Sequence, residues 1–88
     1  MTLNQFKKEV KAFHSNKCWV NNPVRVRGFF YDPATKENSS VEYAMAVRVH
    51  IKGNGVIVIL DVWGNEFYPK DQEPKVLDEL IKNMEAIY

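Results

Sequence analysis

Apolar residues recur at helical spacing near both ends of the chain. The first stripe predicts an amphipathic helix over residues 3–14, capped by the T-x-x-Q sequence at residues 2–5, and it consists of Leu3, Phe6, Val10 and Phe13. A second helix is predicted from Pro74, because a first helical turn tolerates proline. Its apolar stripe consists of Val76, Leu77, Leu80, Ile81, Met84 and Ile87. Both ends of the chain are therefore expected to be helical.

The middle of the chain alternates between apolar and polar residues, as strands with one buried face do. Residues 24–31 and 41–51 alternate in this way, and residues 66–68 are compatible with a short fourth strand. The sequence thus predicts one α+β domain, residues 1–88: a helix, a three- or four-stranded antiparallel sheet and a helix, with the helices packed mainly on one sheet face.

Asn54-Gly55 is the preferred pair for a two-residue type I′ turn, and this turn would set the register of the next strand. Val49 would lie opposite Leu60, and Arg48 opposite Asp61. A three-residue loop would instead bring Asp61 to the core face, so it is not expected. The predicted core face of the sheet carries Val24, Val26, Phe30, Val47, Val49, Ile51, Val58, Leu60 and Val62.

The opposite sheet face is the candidate binding site, because it collects every arginine of the chain together with large aromatic residues. Arginine and aromatic side chains are enriched at recognition surfaces. The third strand is apolar on both faces, and an exposed apolar strip of that kind marks an interaction site. The predicted partner-binding residues are Arg25, Arg27, Phe29, Tyr31, Arg48, His50, Lys52, Ile57, Ile59 and Trp63.

Two other arrangements would also explain this face. One helix could pack on each side of the sheet, so that the second face is a further layer of core, or the open face could join two copies of the chain. The pattern of residues does not choose between these arrangements and an open binding face.

Composition narrows the class of partner. The 88 residues carry a net charge of +1, so a strongly basic nucleic-acid binder is not indicated. One cysteine excludes an intrachain disulfide. The first residues include Lys7, Lys8 and Glu9, and no apolar run is long enough to span a membrane, so a cytoplasmic protein without membrane contact is expected.

No motif predicts a reaction. His14 and Cys18 have the spacing of two ligands on one helix, but no second Cys/His pair completes a metal site. The serines lie in predicted loops, so neither an enzyme nor a cofactor is expected. The sequence favours a small non-catalytic module that binds a protein, as an inhibitor or adaptor of the kind encoded by phages or mobile elements. Single-stranded nucleic-acid binding by the same face and a self-associating structural subunit are the alternatives.

Overall fold

The fold is an antiparallel sheet with two helices. A computed structural model describes the backbone of residues 1–34 and 37–88 and the side chains of residues 1–29, 33–34 and 42–88. In this part of the chain the elements are α1 (Leu3–Ala12), β1 (Lys17–Asp32), β2 (Glu37–Ile51), β3 (Ile57–Leu60), β4 (Glu66–Phe67), a short 3-10 helix (Pro69–Asp71), α2 (Pro74–Asn83) and β5 (Met84–Ala86). The sheet has five strands in the order β4-β3-β2-β1-β5. The predicted α+β class and antiparallel sheet are confirmed.

The predicted cap of α1 is confirmed. The Thr2 hydroxyl accepts a hydrogen bond from the Gln5 backbone N–H at 3.2 Å, and the Gln5 side chain accepts one from the Thr2 N–H at 2.9 Å. The two bonds satisfy N–H groups that have no partner within the helix. The helix ends at Ala12, two residues before the predicted end, and His14 adopts a φ of 54° just beyond it.

The chain after α2 forms a strand that the sequence analysis missed. The helix ends at Asn83, and Met84–Ala86 then pairs antiparallel with residues 18–20 of β1. Met84 stays buried in the core, so the apolar spacing that predicted a longer helix is satisfied by an extended segment as well. Pairing with β5 covers one end of an edge strand whose backbone groups would otherwise lack partners.

The hairpin between β2 and β3 has the three-residue loop that the sequence analysis rejected. Val49 pairs with Ile59 and His50 with Val58, while the Lys52 N–H donates to the Val56 carbonyl across the loop. Gly55 has a φ of 84°, but Asn54 is not in the left-handed region, which a type I′ turn would require. The predicted register is therefore wrong by one residue. As a result, Ile57 and Ile59 face the core rather than solvent.

The alternation in β2 also slips by one residue. Residues 20–23 of β1 lie opposite the single residue Val47, and the register changes there. On one side of this irregularity Val49 is buried, and on the other Ala46 is buried while Tyr43 and Met45 are exposed. The strand therefore does not keep one face along its whole length, as its unbroken alternation predicted.

Both helices pack on the same face of the sheet, which we call the inner face. Their buried residues Phe6, Val10, Leu77 and Leu80 form one cluster with the inner sheet residues Cys18, Val20, Val24, Val26, Ala46, Val49, Ile57, Ile59, Phe67 and Met84. The prediction that Val62 belongs to the core is wrong, since 65% of it is exposed. The predicted core residue Phe30 lies outside the described side chains.

The outer face, away from the helices, is shielded over β3 by an ion pair. Lys52 at the end of β2 and Glu66 on β4 approach to 2.8 Å across the strand between them. The hydrogen bond and charge of Glu66 raise the pKa of Lys52. Val58 and Leu60 of β3 are buried although they lie on this face. The prediction that these two residues are buried under the helices is therefore wrong, because they are buried on the opposite face.

Asp61 organises the turn after β3 instead of pairing with Arg48. Its carboxylate accepts hydrogen bonds from the backbone N–H groups of Trp63 and Asn65 at 3.0 and 2.9 Å and from the Asn65 side chain at 3.0 Å. Burial alone would raise the pKa of Asp61, but the hydrogen bonds from Asn65 and from the backbone of Trp63 and Gly64 outweigh it and lower this pKa. The charged carboxylate therefore stabilises the turn.

We expect Asp61→Asn to lower the free energy of unfolding at pH 7 by about 1–3 kcal/mol, because an amide accepts fewer and weaker hydrogen bonds than a carboxylate. The lowered pKa makes the stabilisation by Asp61 complete above its unfolded pKa of about 3.9, and the stabilisation is lost as the pH falls toward the folded value. Urea unfolding between pH 7 and pH 3 should thus show the gap between the two proteins shrinking. A gap of constant size, or an equal loss in the exposed control Glu79→Gln, would contradict this role.

Candidate partner-binding face

The structure separates the predicted site residues into groups. Arg25, Arg27 and Phe29 on β1 and Arg48 and His50 on β2 lie on the outer face, with Lys52 at the end of β2. Ile57 and Ile59 do not belong to the site, because the three-residue loop turns both into the core. Trp63 lies on the turn after β3. The side chain of Tyr31 lies outside the described residues.

One group is the arm patch, which we define as Arg25, Arg27, Phe29, Tyr43 and Met45. Arg25 is paired with Met45 and Arg27 with Tyr43 across β1 and β2, so the side chains of each pair share the outer face. Tyr43 is 55% exposed, Met45 49% and Phe29 44%. The sequence analysis missed Tyr43 and Met45. The size of their neighbours is the signal that could have found them, because the small residues Ala44 and Ala46 allow other elements to pack closely on the inner face.

The arginines of the arm patch are held over aromatic rings. The Arg25 guanidinium carbon lies 4.1 Å from the centre of the Tyr43 ring, and that of Arg27 lies 5.8 Å from the centre of the Phe29 ring. Such contacts contribute about 0.5–1 kcal/mol at exposed sites. None of the ion pairs among the described residues involves an arginine. The positive charges of the patch are thus oriented but not neutralised within that part of the chain.

Arg27 is also fixed at the free edge of β1. Its Nε donates a hydrogen bond to the Asp71 carbonyl at 2.7 Å. The Gln72 side chain accepts a bond from the Arg27 N–H at 2.9 Å and donates one to the Arg27 carbonyl at 2.6 Å. The Gln72 amide therefore replaces a neighbouring strand on this free edge of β1. No local pattern of the sequence signals this role, because the two residues are far apart in the chain.

Trp63 joins the arm patch at a groove. It is 83% exposed, and with Phe29 and Tyr43 it lines a groove between the hairpin and the turn that Asp61 organises. The groove is bordered by Phe67, whose ring packs on Gly28. The Asp61 hydrogen bonds fix the backbone of the turn from which the indole extends.

A second group, the basic cluster, consists of Lys17, Arg48 and His50. Lys17 lies directly opposite His50 in the β1–β2 register, and Arg48 lies opposite Trp19. Burial and then the positive charges of Arg48 and Lys17 lower the pKa of His50. Lys17 and Trp19 were missed, because the first strand was predicted to begin only at residue 24, after Asn21-Asn22-Pro23. In the structure these residues instead form the irregular part of β1.

Neither a cluster of metal ligands nor a membrane-spanning helix is found among the described residues. No three His, Cys, Asp or Glu side chains there come together as metal ligands, and neither helix in this part of the chain is long and apolar enough to cross a membrane. His14 follows α1 and Cys18 lies in β1, so the two are not on one helix. Cys18 is buried in the core, and its burial raises the pKa of the thiol.

Comparison with known proteins gives no match: no family model, no curated protein and no solved structure is significantly similar to this chain. The arm patch and the basic cluster are therefore the grounds on which its function is inferred.

Proposed function

We propose that the protein is a small non-catalytic module that binds a protein partner through the arm patch and Trp63. The observation that carries this proposal is the arm patch itself: two oriented arginines without acidic partners in the described chain, interleaved with three half-exposed apolar side chains. Arginine, tyrosine, phenylalanine, tryptophan and methionine are the residue types enriched in the centres of protein interfaces. An inhibitor or adaptor would act by such binding alone.

The rigidity of the patch supports tight binding. Ordering a flexible side chain at an interface costs about 0.5–1.5 kcal/mol, and that cost is reduced where the side chain is already held. Arg25 is stacked on Tyr43, and Arg27 is tied to Asp71 and through its backbone to Gln72. The partner that complements the patch has an apolar surface with acidic side chains at its border, because it must both bury the rings and neutralise the arginines.

Substitutions on the arm patch test this proposal. We expect Arg25→Ala and Tyr43→Ala each to weaken partner binding at least about tenfold, because truncating a central interface residue costs more than about 1.4 kcal/mol. Partners captured from a lysate by the wild-type protein would be quantified by mass spectrometry against each variant. Lys82→Ala, on the exposed side of α2, is the matched control and should capture as the wild type does. Equal capture by all four proteins would contradict the proposal.

Single-stranded nucleic-acid binding is the second candidate. It is favoured by Trp19, which is 48% exposed on the outer face and lies directly opposite Arg48. A base can stack on an exposed indole while the neighbouring cation binds its phosphate. Titration of labelled single-stranded DNA, RNA and a duplex, followed by fluorescence anisotropy at two salt concentrations, separates the candidates. Binding of single strands that weakens steeply with salt, and that Trp19→Ala abolishes, would favour this second function. A patch-dependent dimer in sedimentation experiments would instead identify a second copy as the partner.

A further inference from the structure

We propose that the outer face also carries an oxyanion site, formed by the basic cluster Lys17, Arg48 and His50, which binds a phosphate group. This site is separate from the arm patch, because the irregular segment at residues 20–23 of β1 lies between them. It therefore goes beyond the binding of a protein partner and can be tested independently.

The register brings the three side chains to one place. Lys17 and His50 are directly opposite each other on neighbouring strands, where Cα atoms are about 4.5–5.5 Å apart. Arg48 precedes His50 by two positions on the same face, at a rise of about 3.4 Å per residue. The Cα atoms of Lys17 and Arg48 thus both lie within about 7 Å of that of His50, and the three side chains are long enough to surround one tetrahedral anion.

Glu66 and Glu85, which lie on this face, already accept hydrogen bonds from other residues. Glu66 accepts two hydrogen bonds from Lys52, at 2.9 and 2.8 Å, and Glu85 accepts one from Asn21 at 3.0 Å. Neither Lys17 nor Arg48 takes part in an ion pair among the described residues. Two positive charges therefore lie near each other without a counterion in the described part of the chain, and an anion between them would reduce their repulsion.

In the described part of the chain, His50 lacks a hydrogen-bond partner that an anion would supply. Its Nε2 is shielded from solvent and has no hydrogen-bond partner among the described residues. The charged residues Lys17 from β1, Lys52 just after β2 and Glu66 from β4 line one pocket with the ring, and β3 contributes the apolar Val58 and Leu60 to it. Arg48 lies two positions before His50 on the same face, and its charge acts on the ring. An oxyanion supplies both an acceptor and a negative charge, so it favours the protonated ring. Affinity for an anion of constant charge should accordingly rise as the pH falls through the lowered pKa of His50.

Proton NMR of His50 tests the site directly. His14→Asn leaves His50 as the only histidine, and asparagine tolerates the positive φ at position 14. We expect sodium phosphate to raise the pKa of His50 by about one unit relative to sodium chloride at the same ionic strength, which corresponds to about tenfold tighter binding by the protonated form. An equal pKa in the two salts would overturn the proposal.

Two variants separate a built site from general screening. In Arg48→Gln the phosphate-dependent shift should disappear, whereas Arg25→Gln on the arm patch should keep it. Persistence of the shift in Arg48→Gln, with the amide spectrum otherwise unchanged, would also overturn the proposal.

Dimethyl phosphate, tested in parallel, distinguishes the source of the phosphate group. A shift with both compounds fits a nucleic-acid backbone, and a shift with inorganic phosphate alone fits a free phosphate or a monoester. Because Tyr43→Ala should leave this shift intact, the proposal can fail or succeed apart from the proposed protein binding.

Discussion

Ile59→Ala should lower the free energy of unfolding by about 2–5 kcal/mol, whereas Val62→Ala should change it by less than about 0.5 kcal/mol. Ile59 has 0% of its surface exposed and packs in the core, so its truncation removes buried contacts and leaves a cavity. Val62 is 65% exposed and has few contacts to lose. Urea unfolding monitored by tryptophan fluorescence or circular dichroism would measure both changes.

This pair of variants decides between the two registers of the β2–β3 hairpin. With a two-residue turn, Val62 would face the core and Ile59 the solvent, and the two effects would be exchanged. If Ile59→Ala does not fold, Ile59→Val provides the same comparison with an expected loss of about 0.5–1.5 kcal/mol. A larger loss for Val62→Ala than for the Ile59 variant would show that the three-residue loop is wrong.

Gly28→Ala should destabilise the protein by about 1–3 kcal/mol, because the inner face has no room for an additional methyl group at this position. A Cβ built on Gly28 would lie 2.8 Å from Cδ1 of the Phe67 ring, which is closer than real Cβ contacts. Phe67 is itself buried, so its ring cannot move aside without losing contacts. Thermal or urea unfolding would measure the loss, with Gly53→Ala as the control, since a Cβ there meets nothing within 4 Å.

A second substitution tests whether Phe67 is the cause. In a Phe67→Leu background, Gly28→Ala should cost less than in the wild type, with a coupling of at least about 0.5 kcal/mol. Additive effects of the two substitutions would contradict the close contact. Because Phe67 also borders the groove next to Trp63, relaxation of this contact should alter partner binding as well as stability.

The arm patch depends on the strand irregularity at Val47. If β2 alternated without interruption, Tyr43 and Met45 would lie under the helices and the small side chains of Ala44 and Ala46 would face solvent. The slip exchanges the two faces in the part of β2 that precedes Val47, and it places Tyr43 and Met45 beside Arg25 and Arg27. The same segment separates the arm patch from the basic cluster, so one irregularity divides the outer face into two surfaces of different chemistry.

The sequence by itself determined the features that arise from local physics. The α1 cap, the apolar stripes of both helices, the antiparallel sheet and the short strand after Asn65 follow from capping, periodicity and turn residues, and they were predictable. The placement of Arg25, Arg27 and Phe29 on one face also followed from alternation alone. These features depend on residues that are close in the chain.

Only the tertiary structure decided which face the second and third strands present to the core. Alternation predicts that successive residues point in opposite directions, but a single extra loop or strand residue reverses every later position. Asn54-Gly55 is compatible with two loop lengths, and the choice between them depends on packing Ile57 and Ile59 against α1 and α2. The pairing of β5 with β1 and of Gln72 with Arg27 likewise joins residues distant in sequence, so no local pattern could predict them.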